Sequence, residues 1–113
     1  MKANDTIVRL HKQVLDGHVE VLMLAVLESQ PDYAYSIVKV LEKRSRGILR
    51  LEESTVYAAL HRLHRKNLLT ARRITAENGR PRKYYRLTRK GHHALESGRR
   101  QWHILSTVMK AMI

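Results

Sequence analysis

The sequence of 113 residues contains no cysteine and no phenylalanine, only two prolines and a single tryptophan. The lack of cysteine excludes disulfide bonds, thiolate metal ligands and cysteine nucleophiles, and it fits a reducing compartment. The longest apolar run, Val21–Leu27, is far too short to cross a bilayer and lies too deep in the chain for a signal peptide. We therefore expect a cytoplasmic protein that has no membrane partner.

Acidic residues are scarce in one third of the chain. From Ser54 to Lys90 there are eleven Lys or Arg residues against a single acid, Glu77, for a net charge of +10. The remainder has eleven basic and nine acidic residues, so it supplies only +2 of the total of +12. Because protein surfaces usually mix both signs, this localised excess indicates a polyanionic partner, nucleic acid first and an anionic membrane second.

Motifs for catalysis are also missing. There is no Gly-rich phosphate loop, no nucleophile motif and no convergent pair of acids in the basic half. His61 and His64 are spaced HxxH, and His92 adjoins His93, but zinc needs about four converging ligands and suitable partners are not evident. We expect neither an enzyme nor a metal site, and no cofactor.

The spacing of apolar residues predicts a mainly α fold with a small β-hairpin. Helical periodicity covers about 5–15, 18–29, 34–45, 52–67 and 89–113. Two β-rich runs flank the turn dipeptide Asn78-Gly79, and Ile48–Leu51 predicts a very short strand. Alternation along the second run places Tyr85 in the core and leaves Tyr84 half exposed. Three helices followed by a hairpin form a winged helix-turn-helix, in which the hairpin must pack on the helices to be stable.

The third helix of this motif has one apolar and one polar side. At about 100° per residue, Val56, Leu60 and Leu63 fall within roughly 60° of one another and must face the core. The polar side carries small residues first and basic residues later, which suits a recognition helix that approaches base edges with its N-terminal end. We therefore predict DNA contacts from Ser54, Thr55, Ala58, His61, Arg62 and Arg65, with Tyr57 at the border reaching a phosphate oxygen. The alternative is a solvated basic face on an ordinary helix.

The hairpin turn carries the densest positive charge. Asn-Gly suits a tight turn because both residues tolerate positive φ, and Pro81 removes a ladder donor and stiffens the tip. The turn therefore predicts a protruding wing that touches the phosphates beside the groove. Its predicted DNA contacts are Asn78, Gly79, Arg80, Arg82 and Lys83.

At these residues the sequence resembles the PadR family of bacterial transcriptional regulators. The motifs that carry the resemblance are TVYAAL (Thr55–Leu60), GRPRKYY (Gly79–Tyr85) and LTRKG (Leu87–Gly91). The likeness extends over about residues 17–95, with a departure at Ala34, where the family usually has glycine. The resemblance implies a homodimeric repressor that binds inverted-repeat DNA.

Both ends of the chain carry apolar stripes that need a covering surface. We predict two-fold pairing in which the first helix of one protomer packs on the last helix of the other. The predicted interface residues are Ile7, Leu10, Val14, Leu95, Trp102, Leu105, Met109 and Met112. The alternative is that these helices pack within one protomer. The resemblance further implies that a flat hydrophobic effector binds between the end helices, where Trp102 would stack on it or else simply fill the interface.

These patterns together predict three segments. Residues 1–16 form an N-terminal dimerisation helix, residues 17–88 a winged helix-turn-helix DNA-binding domain, and residues 89–113 a C-terminal dimerisation helix. The rival interpretation from another class is a basic winged-helix module that binds protein or an anionic membrane surface without sequence-specific DNA recognition. That rival would place basic residues beside the apolar face of one helix, whereas here they cluster on the third helix and hairpin.

Overall fold

The computed structural model describes residues 10–113, which form five helices and one two-stranded antiparallel sheet. In chain order these elements are α1 (Lys12–Asp16), α2 (Val19–Leu27), α3 (Ala34–Arg44), α4 (Glu53–Arg65), β1 (Leu69–Thr75), β2 (Pro81–Leu87) and α5 (Arg89–Met112). The winged helix-turn-helix predicted from the sequence is therefore confirmed. Within residues 10–113, no helix combines the length and apolar character that crossing a membrane requires.

The hydrophobic core lies where α2, α3 and α4 meet the hairpin. Helix α2 is apolar nearly all round, and it buries Met23 and Leu24 because neighbouring elements cover several of its sides. The predicted apolar stripe of α4 is also in the core, where Val56, Leu60 and Leu63 are fully buried. This packing turns the opposite side of α4 toward solvent.

The hairpin is attached to the helices through the segment before α3. β1 and β2 pair in register from Leu69 opposite Leu87 to Thr75 opposite Pro81. On the other edge of β2, the backbone of Asp32 exchanges two hydrogen bonds with that of Tyr85, at 3.1 and 2.8 Å. The Tyr85 ring is buried in the core, as the strand alternation predicted. Strand β2 is thus hydrogen-bonded along both of its edges at the base of the wing.

The predicted strand at Ile48–Leu51 is wrong. Among the described residues, the sheet contains only β1 and β2, and this segment is irregular. Leu49 is buried, and its backbone N–H donates to the Ser45 side-chain oxygen at 2.8 Å instead of to a strand. The predicted first helix is α-helical from Lys12 to Asp16, and its earlier part, including Ile7, lies outside the described residues.

The first half of α5 belongs to the core of its own protomer. Leu95, a predicted interface residue, is buried there at 1% exposure and packs in the core of its own protomer. Gly98 lies so close to α2 that a Cβ would stand 2.8 Å from the Val21 side chain. Arg99 pairs with Glu28 at 2.5 Å, and this contact lowers the pKa of Glu28 and raises that of Arg99. The remainder of α5 extends beyond the core.

Candidate nucleic-acid interface

The outward face of α4 is fully open to solvent. Glu53 in the first turn and Arg65 in the last turn each have the charge that complements the helix dipole, which favours a helix over these residues. The first helical residue is Glu53, one position before Ser54. Glu52 stands at the N-cap, where its side chain makes no hydrogen bond to the helix. The exposed residues of this face include the predicted Ser54, Thr55, Tyr57, Ala58, His61 and Arg65. The small residues stand at its N-terminal end, which gives this end the closest approach to another surface.

Arg62 is exposed but stands on the flank of α4 that faces α2. Its Nε donates to Glu20 at 3.0 Å, and the Lys66 ammonium donates to the other oxygen of the same carboxylate at 2.9 Å. Partial burial alone would raise the pKa of Glu20, but the hydrogen bonds from Lys66 and Arg62 outweigh it and lower that pKa. Arg62 is therefore engaged within the protomer, unlike the other predicted residues of this face.

The basic residues of the wing occupy two different settings. Asn78, Gly79 and Arg80 form the exposed turn, in which Gly79 has φ of +82° and the Asn78 side chain accepts from the Arg80 N–H at 3.0 Å. Arg82 and Lys83 lie within β2 and are partly buried. Only the turn residues therefore form the protruding tip, because Pro81 already pairs in the sheet.

Aromatic rings hold two of the three cations of β2, Arg82 and Lys83. The Arg82 guanidinium lies 4.5 Å from the ring centroid of Tyr33, and this ring packs against Tyr84 with centroids 5.1 Å apart. The Lys83 ammonium lies 5.8 Å from the centroid of Tyr85. Such cation–π contacts orient a charge without neutralising it, so both cations remain available to an anion.

A groove of about 570 Å³ separates α4 from the wing. Its walls combine cations and tyrosines, and they comprise Tyr33, Ala34, Tyr35, Glu53, Tyr57, Arg73, Arg80, Pro81, Arg82, Lys83 and Tyr85. Sequence reasoning missed Arg73, although it stands opposite Lys83 in the hairpin register and strand alternation would have identified it. It also missed Tyr33, which no local pattern reveals because only the Asp32–Tyr85 pairing brings it to the wing.

The floor of this groove contains a buried hydroxyl. Tyr85 is 1% exposed, and its hydroxyl oxygen has no hydrogen-bond partner among the described residues. Burial, and then the neighbouring Tyr57, raises the pKa of Tyr85 to about 12, so its hydroxyl stays protonated at neutral pH. The His64 and Tyr85 rings pack nearly at right angles, with centroids 6.4 Å apart. His64 thus serves in packing, and no set of three metal-binding side chains converges within residues 10–113.

At the far side of the molecule, α1, α2 and α5 line an apolar groove of about 1010 Å³. Leu10 and Val14 form one wall, while Trp102 and Leu105 form another. Large apolar residues stay about half exposed or more along the rest of α5, from 47% at Leu105 and Met109 to 59% at Trp102 and 76% at Met112. Contiguous exposed apolar residues of this kind are typical of protein–protein or ligand-binding surfaces.

Comparisons with known proteins agree with this geometry. The model of the transcriptional regulator PadR-like family matches residues 23–97. A PadR family transcription regulator from Clostridium difficile is 34% identical, covers 84% of this chain and 97% of its own, and superposes with a TM-score of 0.72. A PadR family transcriptional regulator from Eggerthella lenta is 32% identical over 88% of this chain and 85% of its own, with a TM-score of 0.76.

A more distant likeness concerns the fold alone. A transcriptional regulator from Clostridium thermocellum superposes with a TM-score of 0.84, at 23% identity, over 92% of this chain and 98% of its own. The match thus includes α5 as well as the winged helix, so the arrangement of both parts recurs in a solved structure.

Proposed function

Because the chain belongs to the PadR-like family of transcriptional regulators, and is thus a DNA-binding regulator, we propose that it acts as a homodimeric repressor on an inverted-repeat operator. The observation that carries the proposal is the common groove between the outward face of α4 and the cations of the wing. A helix in a major groove and a wing on the adjacent phosphates would use both walls at once. The winged helix over residues 17–88 would bind DNA, and the ends, 1–16 and 89–113, would pair.

The DNA contacts divide by chemistry. Small and basic residues of α4 enter the major groove, where Arg65 and His61 meet base edges or nearby phosphates. The wing contacts phosphates, which set the position of the protein on the duplex without reading sequence. The proposed set is Ser54, Thr55, Tyr57, Ala58, His61, Arg62, Arg65, Asn78, Gly79, Arg80, Arg82 and Lys83, in which Arg62 must first exchange Glu20 for DNA.

The dimer would form on the exposed apolar residues of the end helices. These residues are about half exposed or more within the described protomer, and a two-fold partner would bury the same stripe on both chains. The proposed interface comprises Leu10, Val14, Trp102, Leu105, Met109 and Met112. Ile104 and Val108 widen this stripe and are also about half exposed.

The groove beside α5 supports an effector site of the dimer. Trp102 lines it with a largely exposed ring, and a flat hydrophobic or aromatic molecule would stack on this indole. Binding that changed the angle between the two α5 helices would alter the spacing of the recognition helices and release the operator. Because Trp102 is the only tryptophan, quenching of its fluorescence by a series of planar aromatic molecules reports such binding directly.

The function is tested by selecting bound sites from random DNA with the full chain. We expect one inverted repeat with half-sites about 34–36 Å apart along the duplex. The protein should bind this repeat at least about a thousandfold more tightly than a scrambled duplex at physiological salt. A promoter that contains the selected repeat should lose transcription when the protein is added.

The preference for the selected repeat over scrambled DNA separates the proposed function from the rival interpretation. A sequence-specific regulator binds the selected repeat more tightly than a duplex with scrambled half-sites. Its affinity for both duplexes falls steeply as the salt concentration rises. A basic interaction module would bind all duplexes alike, and an anionic vesicle would compete with them. Equal affinity for selected and scrambled DNA would therefore reject the proposed function, and activation of the promoter would reject the repressor.

A further inference from the structure

The buried hydroxyl of Tyr85 makes no hydrogen bond that would stabilise the described fold. The ring fills the core and would do so equally as phenylalanine, whereas an unpaired buried hydroxyl costs about 1–3 kcal/mol. Its oxygen is enclosed and has no hydrogen-bond partner among residues 10–113. The neighbouring polar group that contributes to the raised pKa of Tyr85 is Tyr57, a half-exposed tyrosine of α4 that lines the same groove. The Tyr85 oxygen has no settled hydrogen-bond partner within residues 10–113, although Tyr57 is close enough to help raise the pKa of Tyr85.

We propose that this groove seats one DNA phosphodiester, which accepts a hydrogen bond from the Tyr57 hydroxyl, and that the Tyr85 hydroxyl positions Tyr57 by donating to its oxygen. The proposal rests on the proposed function, because it specifies how the groove between α4 and the wing receives DNA. Tyr57 contacts the ligand, and Tyr85 is a positioning residue that never touches it.

The order of donors follows from the chemistry of the three groups. A phosphodiester oxygen carries negative charge and only accepts, so the Tyr57 O–H must point toward it. The Tyr57 oxygen then has free lone pairs, and donation to an anion makes that oxygen a stronger acceptor. Tyr85 stays protonated at neutral pH, since its pKa lies at about 12, and it can therefore supply the proton that completes the chain. The buried hydroxyl is thus satisfied only in the complex.

The surroundings of the pair suit a phosphate. Arg73 and Lys83 stand opposite each other on the two strands, and both line the groove. Arg82 lines it as well, held by the Tyr33 ring. These cations supply charge, while the tyrosine pair supplies a donor of fixed direction on the recognition helix itself. Wing and helix would therefore meet on the same stretch of DNA backbone.

The test is a double-mutant cycle of Tyr57→Phe and Tyr85→Phe in the full chain, with Tyr84→Phe as the matched control. Tyr84 lies on the same strand and loses the same hydroxyl, but its ring packs on Tyr33. We measure the unfolding midpoint and the affinity for the selected operator. Tyr57→Phe should weaken binding at least about tenfold, the lower end of what a hydrogen bond to a charged group contributes. Tyr85→Phe should weaken it about threefold without lowering the midpoint, because it removes an unpaired buried hydroxyl.

The coupling between Tyr57 and Tyr85 in operator binding tests whether Tyr85 acts through Tyr57. In the Tyr57→Phe background, Tyr85→Phe should have no further effect on binding. An equal loss in both backgrounds, or no loss with Tyr85→Phe in the wild-type background, would overturn the proposal. A lowered midpoint together with lost affinity would also overturn it, since Tyr85 would then act through the fold.

Duplexes with a single neutral methylphosphonate identify the phosphate. At one backbone position the substitution should weaken the wild type about tenfold and leave the Tyr57→Phe protein unchanged. If no position shows this difference, Tyr57 does not contact a phosphate. Failure of the proposed function looks different, because the wild type would then show no preferred duplex at all. If every Tyr→Phe variant keeps the wild-type affinity and its preference for the selected duplex, only the roles proposed for Tyr57 and Tyr85 are rejected.

Discussion

The cations of the wing differ in how firmly their neighbours hold them. Arg80 stands on the exposed turn, where its side chain is free to follow a phosphate. Arg82 is stacked on Tyr33 at 4.5 Å, so less rotamer freedom remains to be lost when it binds an anion. Spacing in the sequence treats the two arginines alike, whereas the structure predicts different contributions. A contact made by a preordered cation costs less entropy, and it should be the stronger of the two.

Removing Arg82 should weaken the binding of all DNA. Arg82→Ala takes away one phosphate contact, so the affinities for selected and random duplexes should fall alike and the slope of log affinity against log salt should flatten by about one. Titrations of both duplexes at several salt concentrations measure this. A loss confined to the selected duplex would show instead that Arg82 reads bases.

The role of Tyr33 is tested by keeping or removing its ring. Tyr33→Phe retains the face on which Arg82 rests and should leave operator affinity nearly unchanged, while Tyr33→Leu should lower it by a factor of about three, in keeping with an exposed cation–π contact of 0.5–1 kcal/mol. The effect should vanish in an Arg82→Ala background. Equal losses with Phe and Leu would point to the Tyr33 hydroxyl rather than to the ring.

Glu20 restrains two cations at the C-terminal end of α4. Its pKa is lowered, so the ion pairs with Arg62 and Lys66 contribute stability above the unfolded pKa of about 4.3 and lose it as pH falls through the folded pKa. The pairs are partly exposed, and we expect no more than about 1 kcal/mol from them. Denaturant titrations should show Glu20→Gln less stable than the wild type at pH 7, with the difference shrinking below pH of about 4.

The same variant tests Arg62 as a DNA contact. If Arg62 leaves Glu20 to meet a base edge, Glu20→Gln should tighten operator binding, and Arg62→Ala should cost about 1–3 kcal/mol and relax discrimination at one base pair. Both are measured on half-sites varied one position at a time. Unchanged discrimination with Arg62→Ala would leave Arg62 as a phosphate contact or as a structural partner of Glu20.

At the scale of elements, α5 is divided into two halves by what it touches. Residues up to Arg99 pack on α2 and the hairpin, and the glycines allow this close approach. The apolar spacing predicted the full helix of 24 residues correctly. It could not distinguish Leu95, which is buried, from Leu105, which is exposed, because both follow the same helical repeat. Whether Leu95 or Leu105 faces the core of the protomer depends on where α2 ends beside α5. The apolar pattern within α5 does not contain the position of α2.

Gly91 should not tolerate a side chain. A Cβ there would overlap the backbone carbonyl oxygen of Leu68, which the hairpin fixes in place. Gly91→Ala should therefore lower the free energy of unfolding by about 1–3 kcal/mol, although alanine is the better helix former by about 1 kcal/mol. Ser97→Ala, at an exposed position of the same helix, is the control and should be neutral or slightly stabilising. A stabilising Gly91→Ala would mean that α5 can move away from the hairpin.

At the scale of the whole molecule, local patterns predicted the parts and missed several contacts between them. The stripe of Val56, Leu60 and Leu63 and the turn at Gly79 were readable because their signals lie within a few residues. The pairing of Arg62 with Glu20 spans 42 residues, and tertiary packing alone selects it. The same limit applies to assembly. Sequence spacing shows that α5 carries an apolar stripe. The exposure of each apolar side chain in the folded protomer shows which part of this stripe is left for a partner.

The proposed dimer is supported by the size of a specific DNA site and by the length of α5. One recognition helix reads too few base pairs for useful specificity in a genome, and two copies on a two-fold axis need centres about 34–36 Å apart. A helix of 24 residues is about 36 Å long, which matches the span that must be bridged. We therefore expect the full chain to be a dimer at micromolar concentration in sedimentation equilibrium.

Leu105→Asp should convert this dimer to a folded monomer. Leu105 is 47% exposed, so an aspartate there is solvated in the monomer and buried only in the dimer, where it is costly. Affinity for the inverted repeat should fall by at least about a hundredfold, because the second half-site is no longer tethered to the first. Thr107→Asp adds the same charge to another side of α5 and should leave the dimer intact, while Leu95→Asp should unfold the protomer. A wild-type monomer that still binds the inverted repeat tightly would reject both the dimer and the effector route through Trp102.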